Sequence, residues 1–215
     1  MMNESYKVIY GAKENIFTAE VVEKKSRFIA SLKKVESEEE AVTFINEVKK
    51  KYYDARHNCS AFIIGTKKEL LRSSDDGEPS GTAGKPMLEV LLGSELVNIV
   101  VVVTRYFGGT LLGTGGLVRA YTEAVQEVLK EITPATMCLG SRLRIQTDYS
   151  TIGKILYELS EKNIPVETSE YTDIIVLTVI VKEEIVENIQ DIVVQVSSGK
   201  NSATITDKLY FPSVN

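Results

Sequence analysis

What this sequence has little of narrows its chemistry first. It holds two cysteines, Cys59 and Cys138, far apart and without a CxxC partner. No disulfide framework is expected, and a reducing compartment is the simpler reading. His57 is the single histidine. A zinc site of ordinary ligands would have to combine His57 with Cys59 and carboxylates, a weak set, so neither a metal nor a cofactor is expected. Long apolar runs are missing too. The most apolar stretch, 99–103, is far too short to cross a bilayer. Residues 1–10 lack a basic segment followed by an apolar one, so no secretory signal is expected. There is no repeat at solenoid period and no low-complexity tract. A cytoplasmic protein without a membrane partner is the resulting expectation.

Nor is there an excess of positive charge. The formal net charge is −5; residues 1–134 hold 18 basic and 19 acidic side chains, and residues 135–215 hold 7 and 11. Broad nucleic-acid binding rests on many Lys and Arg contacts to phosphate, so any such binding here needs a local patch. Known phosphate motifs are absent. Gly84-Lys85 is followed by Pro86, and Pro79 stands where a P-loop needs its first glycine. Val118 stands where GxGxxG needs its last. Nucleotide hydrolases and dehydrogenases of those types are thereby excluded.

What is present is globular. The 215 residues are 43% hydrophobic and 26% charged, which fits one large or two ordinary domains. Strands are predicted over 16–23 and 26–35. Ser37 and Glu40 then form a capping box for a helix with Ala41, Phe44, Ile45 and Val48 on one face. That helix ends in Lys49-Lys50-Lys51, which suits a helix C-terminus. Strands follow over 58–65 and 69–73, then a loop over 75–85. A helix is expected from Pro86 to Gly93 and a strand buried on both faces over 96–104. A second Gly-rich loop spans 108–116. It leads into a long helix carrying Leu117, Tyr121, Ala124, Val128 and Ile132 at helical spacing. Beyond it come a strand (137–147), a helix (151–163), strands (164–168 and 173–181), a helix (183–196) and a strand (202–207). That βαββαβ order is the ferredoxin-like split unit. The expected class is α+β with two domains, 1–134 and 135–215.

Nine of the 14 glycines lie between Gly77 and Gly116, clustered before two helices. A helix N-terminus offers unpaired N–H groups and partial positive charge, and glycine lets a ligand approach that backbone. Lys85 and Arg119 stand near the two helix starts, where a cation opposes the macrodipole. Arg105 adds a third cation at the carboxyl end of the buried strand, where α/β folds place ligands. A bound anion would compensate these cations; pairing with Asp75, Asp76 and Glu78 to lock the loops would do so as well. The candidate ligand- or anion-binding residues are therefore His57, Asp75, Asp76, Glu78, Ser80, Gly84, Lys85, Arg105, Tyr106, Gly108, Gly109, Gly115, Gly116 and Arg119. A Cys59–His57 nucleophile pair is conceivable at i and i+2 on a strand, but an ordinary buried cysteine is the simpler reading. No complete catalytic constellation is found.

Several segments resemble a known family. They are Ser26-Arg27-Phe28-Ile29-Ala30, residues 54–59, Asp75-Asp76-Gly77-Glu78-Pro79-Ser80-Gly81-Thr82-Ala83-Gly84-Lys85-Pro86, and residues 105–118 from Arg105-Tyr106-Phe107-Gly108-Gly109 to Gly115-Gly116-Leu117-Val118. They resemble the Impact family in its bacterial YigZ form and cover most of residues 1–134. The second half is similar to that form's other domain, a ferredoxin-like unit like the last domain of elongation factor G. The resemblance implies a first domain with the fold of ribosomal-protein and translation-factor modules. It also implies a role near translation, since eukaryotic members are translational regulators. Those members bind a kinase activator through an extra N-terminal domain, which this chain is not expected to carry.

Three function classes fit these residues. The leading one is a translation-associated regulatory binding protein contacting the ribosome, an RNA or a translation factor. In it, Lys85, Arg105 and Arg119 contact phosphate and Tyr106 is available for stacking. The second is a small-molecule enzyme or sensor for a phosphate or carboxylate ligand. There Asp75, Asp76 and Glu78 hold Mg²⁺ or act as acid and base, with His57 nearby. The third is a protein–protein adaptor whose Gly-rich loops are purely architectural. On balance a binding role is expected over catalysis.

Overall fold

A computed structural model describes residues 5–11 and 14–213. The extreme ends of the two expected domains, residues 1–4 and 214–215, lie outside the described residues. The chain divides into two compact units, Tyr6–Thr136 and Met137–Ser213. No helix among the described residues is long and apolar enough to cross a membrane.

The first unit runs β1 (Tyr6–Ile9), β2 (Ile16–Glu23), β3 (Ser26–Lys34), α1 (Glu38–Lys51), β4 (His57–Ile64), β5 (Leu70–Ser74), α2 (Gly84–Gly93), β6 (Ile99–Tyr106) and α3 (Gly113–Lys130). Five of these strands form one sheet in the order β2-β3-β6-β4-β5, with every neighbouring pair antiparallel. The apolar run of the sequence becomes β6, the central strand, buried from Ile99 to Arg105. Strand side chains alternate between faces. Val100 and Val102 point to one face and pack with Phe62, Ala41, Phe44 and Val48 under α1. The other face carries Phe28, whose ring meets Tyr121 of α3 edge-on with centroids 5.1 Å apart. There α3 packs on β2 and β3, and α2 on β4 and β5. Ser37 caps α1 as its sequence predicts, its Oγ accepting from the Glu40 N–H.

Two helix starts differ from expectation. α2 begins at Gly84, two residues before Pro86. Proline still fits there, because the first helical turn has no intrahelical use for its N–H groups. α3 begins at Gly113, so Gly113, Gly115 and Gly116 form its first turn rather than a loop, and Ile132 falls beyond its end. Packing of a long apolar face outweighs the weak helix propensity of glycine.

The second unit runs β7 (Pro134–Thr147), α4 (Ile152–Glu161), β8 (Val166–Tyr171), β9 (Ile175–Lys182), α5 (Val186–Val196) and β10 (Ser202–Ser213). β7, β9 and β8 lie side by side and β10 also pairs with β7, so the strands of this unit follow the order β10-β7-β9-β8. This βαββαβ order is that of a ferredoxin-like unit. Ile155 and Leu159 of α4 and Ile189 and Val193 of α5 share one core with Leu143, Ile145, Leu177 and Val179.

A cleft at the end of the central strands

The candidate site is built on one row of the first sheet. His57 of β4 pairs with Arg105 of β6, which pairs with Phe28 of β3. All three side chains therefore share the face that α3 covers. Arg105 is nearly closed off from water. Its Nη1 lies 2.7 Å from Glu78 Oε1, with side-chain exposures of 9% and 3%. The same Glu78 oxygen accepts the Tyr121 hydroxyl at 2.9 Å. The Arg105 guanidinium carbon stands 5.5 Å from the Phe28 ring centroid and 5.8 Å from that of Phe107. Its Nε is buried without a hydrogen-bond partner. An isolated buried cation is very costly, so Glu78 is what allows Arg105 to sit here. A planar guanidinium also stacks on aromatic rings in a way an ammonium does not.

The loop after β5 supplies Glu78 and consumes its other acids. Asp75 accepts the backbone N–H groups of Gly81, Ala83 and Gly84 at 2.8, 3.0 and 2.8 Å. The anion at the N-terminus of α2 is thus the protein's own carboxylate, satisfying donors that the helix leaves open. Burial pushes the Asp75 carboxyl up, but those three N–H groups together outweigh it and hold the group below its ordinary value. Asp76 lies 2.6 Å from Lys49 Nζ and accepts the Asn58 N–H at 2.7 Å. Its carbonyl oxygen stands 3.0 Å from His57 Nδ1. A carbonyl only accepts, so a neutral His57 carries its proton on Nδ1 and keeps Nε2 as an acceptor. Cys59 is fully buried. Its thiol donates to the Asp75 carbonyl at 2.9 Å and lies 3.3 Å from the Tyr121 hydroxyl. Burial pushes that thiol up to about 12, which makes it inert as a nucleophile.

Beside Arg105 lies an open cleft of about 660 Å³, lined by Asp54, Arg56, His57, Arg105, Tyr106, Phe107 and Leu111. The Tyr106 hydroxyl donates to Asp54 at 2.7 Å, and that hydrogen bond pushes the phenol up to about 12. Arg27, in a two-point ion pair with Glu20, stacks over the Tyr106 ring at 5.7 Å. Phe107 and Leu111 are 55% and 83% exposed. The loop that carries them is pressed onto the β2–β3 turn. A Cβ on Gly108 would lie 2.0 Å from the Lys25 carbonyl carbon and 2.2 Å from the Ser26 nitrogen, so only glycine fits. The Gly108 N–H donates to Ser26 Oγ at 3.1 Å.

Of the residues singled out in the sequence, His57, Arg105 and Tyr106 meet in this cleft. Asp75, Asp76 and Glu78 turn to the protein instead. Ser80 and Lys85 are exposed, and Lys85 is the second residue of α2. Gly84 lies against the Ser74 backbone, where a Cβ would meet it at 2.7 Å. Gly109 is open with φ +88°, and Gly115 and Gly116 belong to the first turn of α3. Arg119 is exposed two turns into α3 rather than at its start. Neither Lys85 nor Arg119 lines the cleft, so the three cations do not form one cluster. Among the described residues, no three His, Cys, Asp or Glu side chains are grouped to hold a metal ion. Arg56, Phe107 and Leu111 were not among the predicted site residues. They reach the cleft through the pairing of His57 with Arg105, and two bulky apolar residues flanking Gly108-Gly109 were the one local signal.

Two family models match separate stretches of the chain. Residues 24–129 match the Impact N-terminal domain, and residues 145–200 match a domain of unknown function, DUF1949. The IMPACT family member YvyE of Bacillus subtilis is 41% identical over 182 residues, 85% of this chain and 84% of that protein. An IMPACT family member of Haemophilus influenzae is 39% identical over 188 residues, 86% of this chain and 90% of that protein. A solved structure described as the crystal structure of an hypothetical protein covers 96% of this chain and 99% of its own. It shows 33% identity and a TM-score of 0.60.

Proposed function

Because the chain belongs to the Impact family, we propose that it is a translation-associated binding protein that contacts RNA through the cleft at the end of β4 and β6. One observation carries this reading. Arg56 and Arg105 line the cleft together with the exposed Phe107, whose ring centroid lies 5.8 Å from the Arg105 guanidinium. Guanidinium matches phosphate in two-point hydrogen bonding, and an exposed ring stacks on a base. The family resemblance points the same way, toward the ribosome, its RNA or a translation factor. With a net charge of −5, the chain has no general attraction for polyanions, so a local patch of this kind has to supply the contact. The Gly-rich segments hold the cleft in place, and Arg56 takes the phosphate role first considered for Lys85 and Arg119.

The test is co-sedimentation with ribosomes over a salt series, wild type beside the double variant Arg56→Ala/Phe107→Ala. Both side chains are exposed, so the variant keeps its fold. Pelleting that weakens with salt and is lost in the variant supports the reading. Pelleting that ignores salt, or that the variant retains in full, contradicts it.

A further inference from the structure

We propose that the cleft receives one unpaired nucleotide, with its phosphate on Arg56 and Arg105 and its base against Phe107 and Leu111, so that the chain prefers single-stranded to double-stranded RNA. This rests on the reading of the cleft as an RNA site and adds what kind of RNA it takes.

Shape is the first argument. A hollow of about 660 Å³ accepts a group that enters it. A duplex presents phosphates on a convex surface and keeps its bases stacked inside, out of reach of Phe107. An unpaired nucleotide offers a phosphate and a free ring face together. Charge is the second. Duplex binding without base contacts needs many Lys and Arg on phosphates. Here the cleft supplies Arg56 and Arg105 against Asp54, and Glu78 already offsets Arg105. Too little positive charge remains to hold a duplex, so stacking has to contribute a large share.

The third argument is the way the apolar groups are held. Phe107 and Leu111 lie four residues apart on one loop, largely uncovered, at 55% and 83% exposure. Gly108 seats that loop on backbone that no other residue would clear. The Arg105 guanidinium stands 5.5 Å from the Phe28 ring and 5.8 Å from the Phe107 ring, with Nη1 tied to Glu78. A ligand meets groups already fixed in place, which lowers the ordering cost of binding.

The experiment is fluorescence anisotropy with a fluorescein-labelled oligoribonucleotide of about ten mixed nucleotides, single-stranded and as its duplex. Wild type, Phe107→Ala, Leu111→Ala, Phe107→Trp and Arg56→Ala are compared, and thermal melts confirm folding. The single strand is expected to bind at least about tenfold tighter than the duplex. Phe107→Ala weakens it by roughly five- to a hundredfold, the worth of one stacked base. Leu111→Ala weakens it less, and Phe107→Trp restores it. Equal affinity for single strand and duplex overturns the inference while RNA contact stands. So does loss on Arg56→Ala with none on Phe107→Ala. Binding of neither RNA overturns this inference and the proposed function together.

Discussion

Replacing Glu78 by alanine is the sharpest perturbation of the first unit. Glu78 is 3% exposed at its side chain and accepts both Arg105 Nη1 and the Tyr121 hydroxyl on one oxygen. Its removal leaves a buried guanidinium without a counter-charge and strands the tyrosine hydroxyl. Breaking a buried pair by deleting one partner costs about 3–5 kcal/mol. At 25 °C that is roughly two to three and a half powers of ten in the opening equilibrium. Hydrogen exchange of the β6 backbone amides reads this unit directly, whatever the second unit does. Glu78→Ala is expected to speed exchange of the amides at 100–104 by that factor. The double variant Glu78→Ala/Arg105→Met removes the stranded charge and is expected to recover about 2 kcal/mol of the loss, the remainder belonging to the Tyr121 hydroxyl. Less than a tenfold change in Glu78→Ala, or a double variant no better than the single one, refutes the buried-pair reasoning.

Three other outcomes follow from neighbouring groups. Asp75 has a folded pKa below its ordinary 3.8, so its stabilising contribution is present above about pH 4 and is lost as pH falls through the folded value. Asp75→Asn is expected to flatten the acid limb of stability in urea titrations below about pH 4, and an unchanged limb contradicts this. The Cys59 thiol, raised to about 12, stabilises the fold below its ordinary value and loses that contribution as pH rises toward 12. Iodoacetamide at about pH 8 is expected to label it only as fast as the chain unfolds, and fast labelling of the native protein contradicts its burial. Gly108→Ala is expected to cost more than about 2 kcal/mol through backbone overlap. Gly109→Ala, with φ +88° and open space, costs about 1 kcal/mol; equal losses in thermal melts contradict the seating of the loop.

Local pattern reached the elements whose signals are short-ranged. The capping box at Ser37 and Glu40, the apolar run that becomes β6 and the helical stripes of α4 and α5 each depend on spacing within a few residues. The starts of α2 and α3 were not legible, because glycine reads locally as a breaker. At Gly84 it is required instead by the approach of the Ser74 backbone. The expected anion sites at both helix starts rested on the same local logic. At α2 the group that satisfies the helix is Asp75, nine residues before Gly84 and brought back by the 75–83 loop. From the sequence, Asp75, Asp76 and Glu78 are candidates to pair with Lys85, Arg105 and Arg119. Of those cations, Glu78 holds Arg105, while Asp76 holds Lys49. The cleft needed the β4–β6 register, which no single segment encodes. Once His57 stands opposite Arg105, Arg56 and Phe107 come to the same end of the sheet.

The single histidine makes one measurement decisive. His57 lines the cleft, so the proton on its imidazole Cε1 gives a single NMR signal that reports on the cleft. Titration with the single-stranded oligoribonucleotide is expected to shift that signal saturably, with a midpoint matching the anisotropy curve. Arg56→Ala is expected to weaken the shift and lower the salt slope of binding by about one. RNA binding that leaves the His57 signal unmoved would contradict the account.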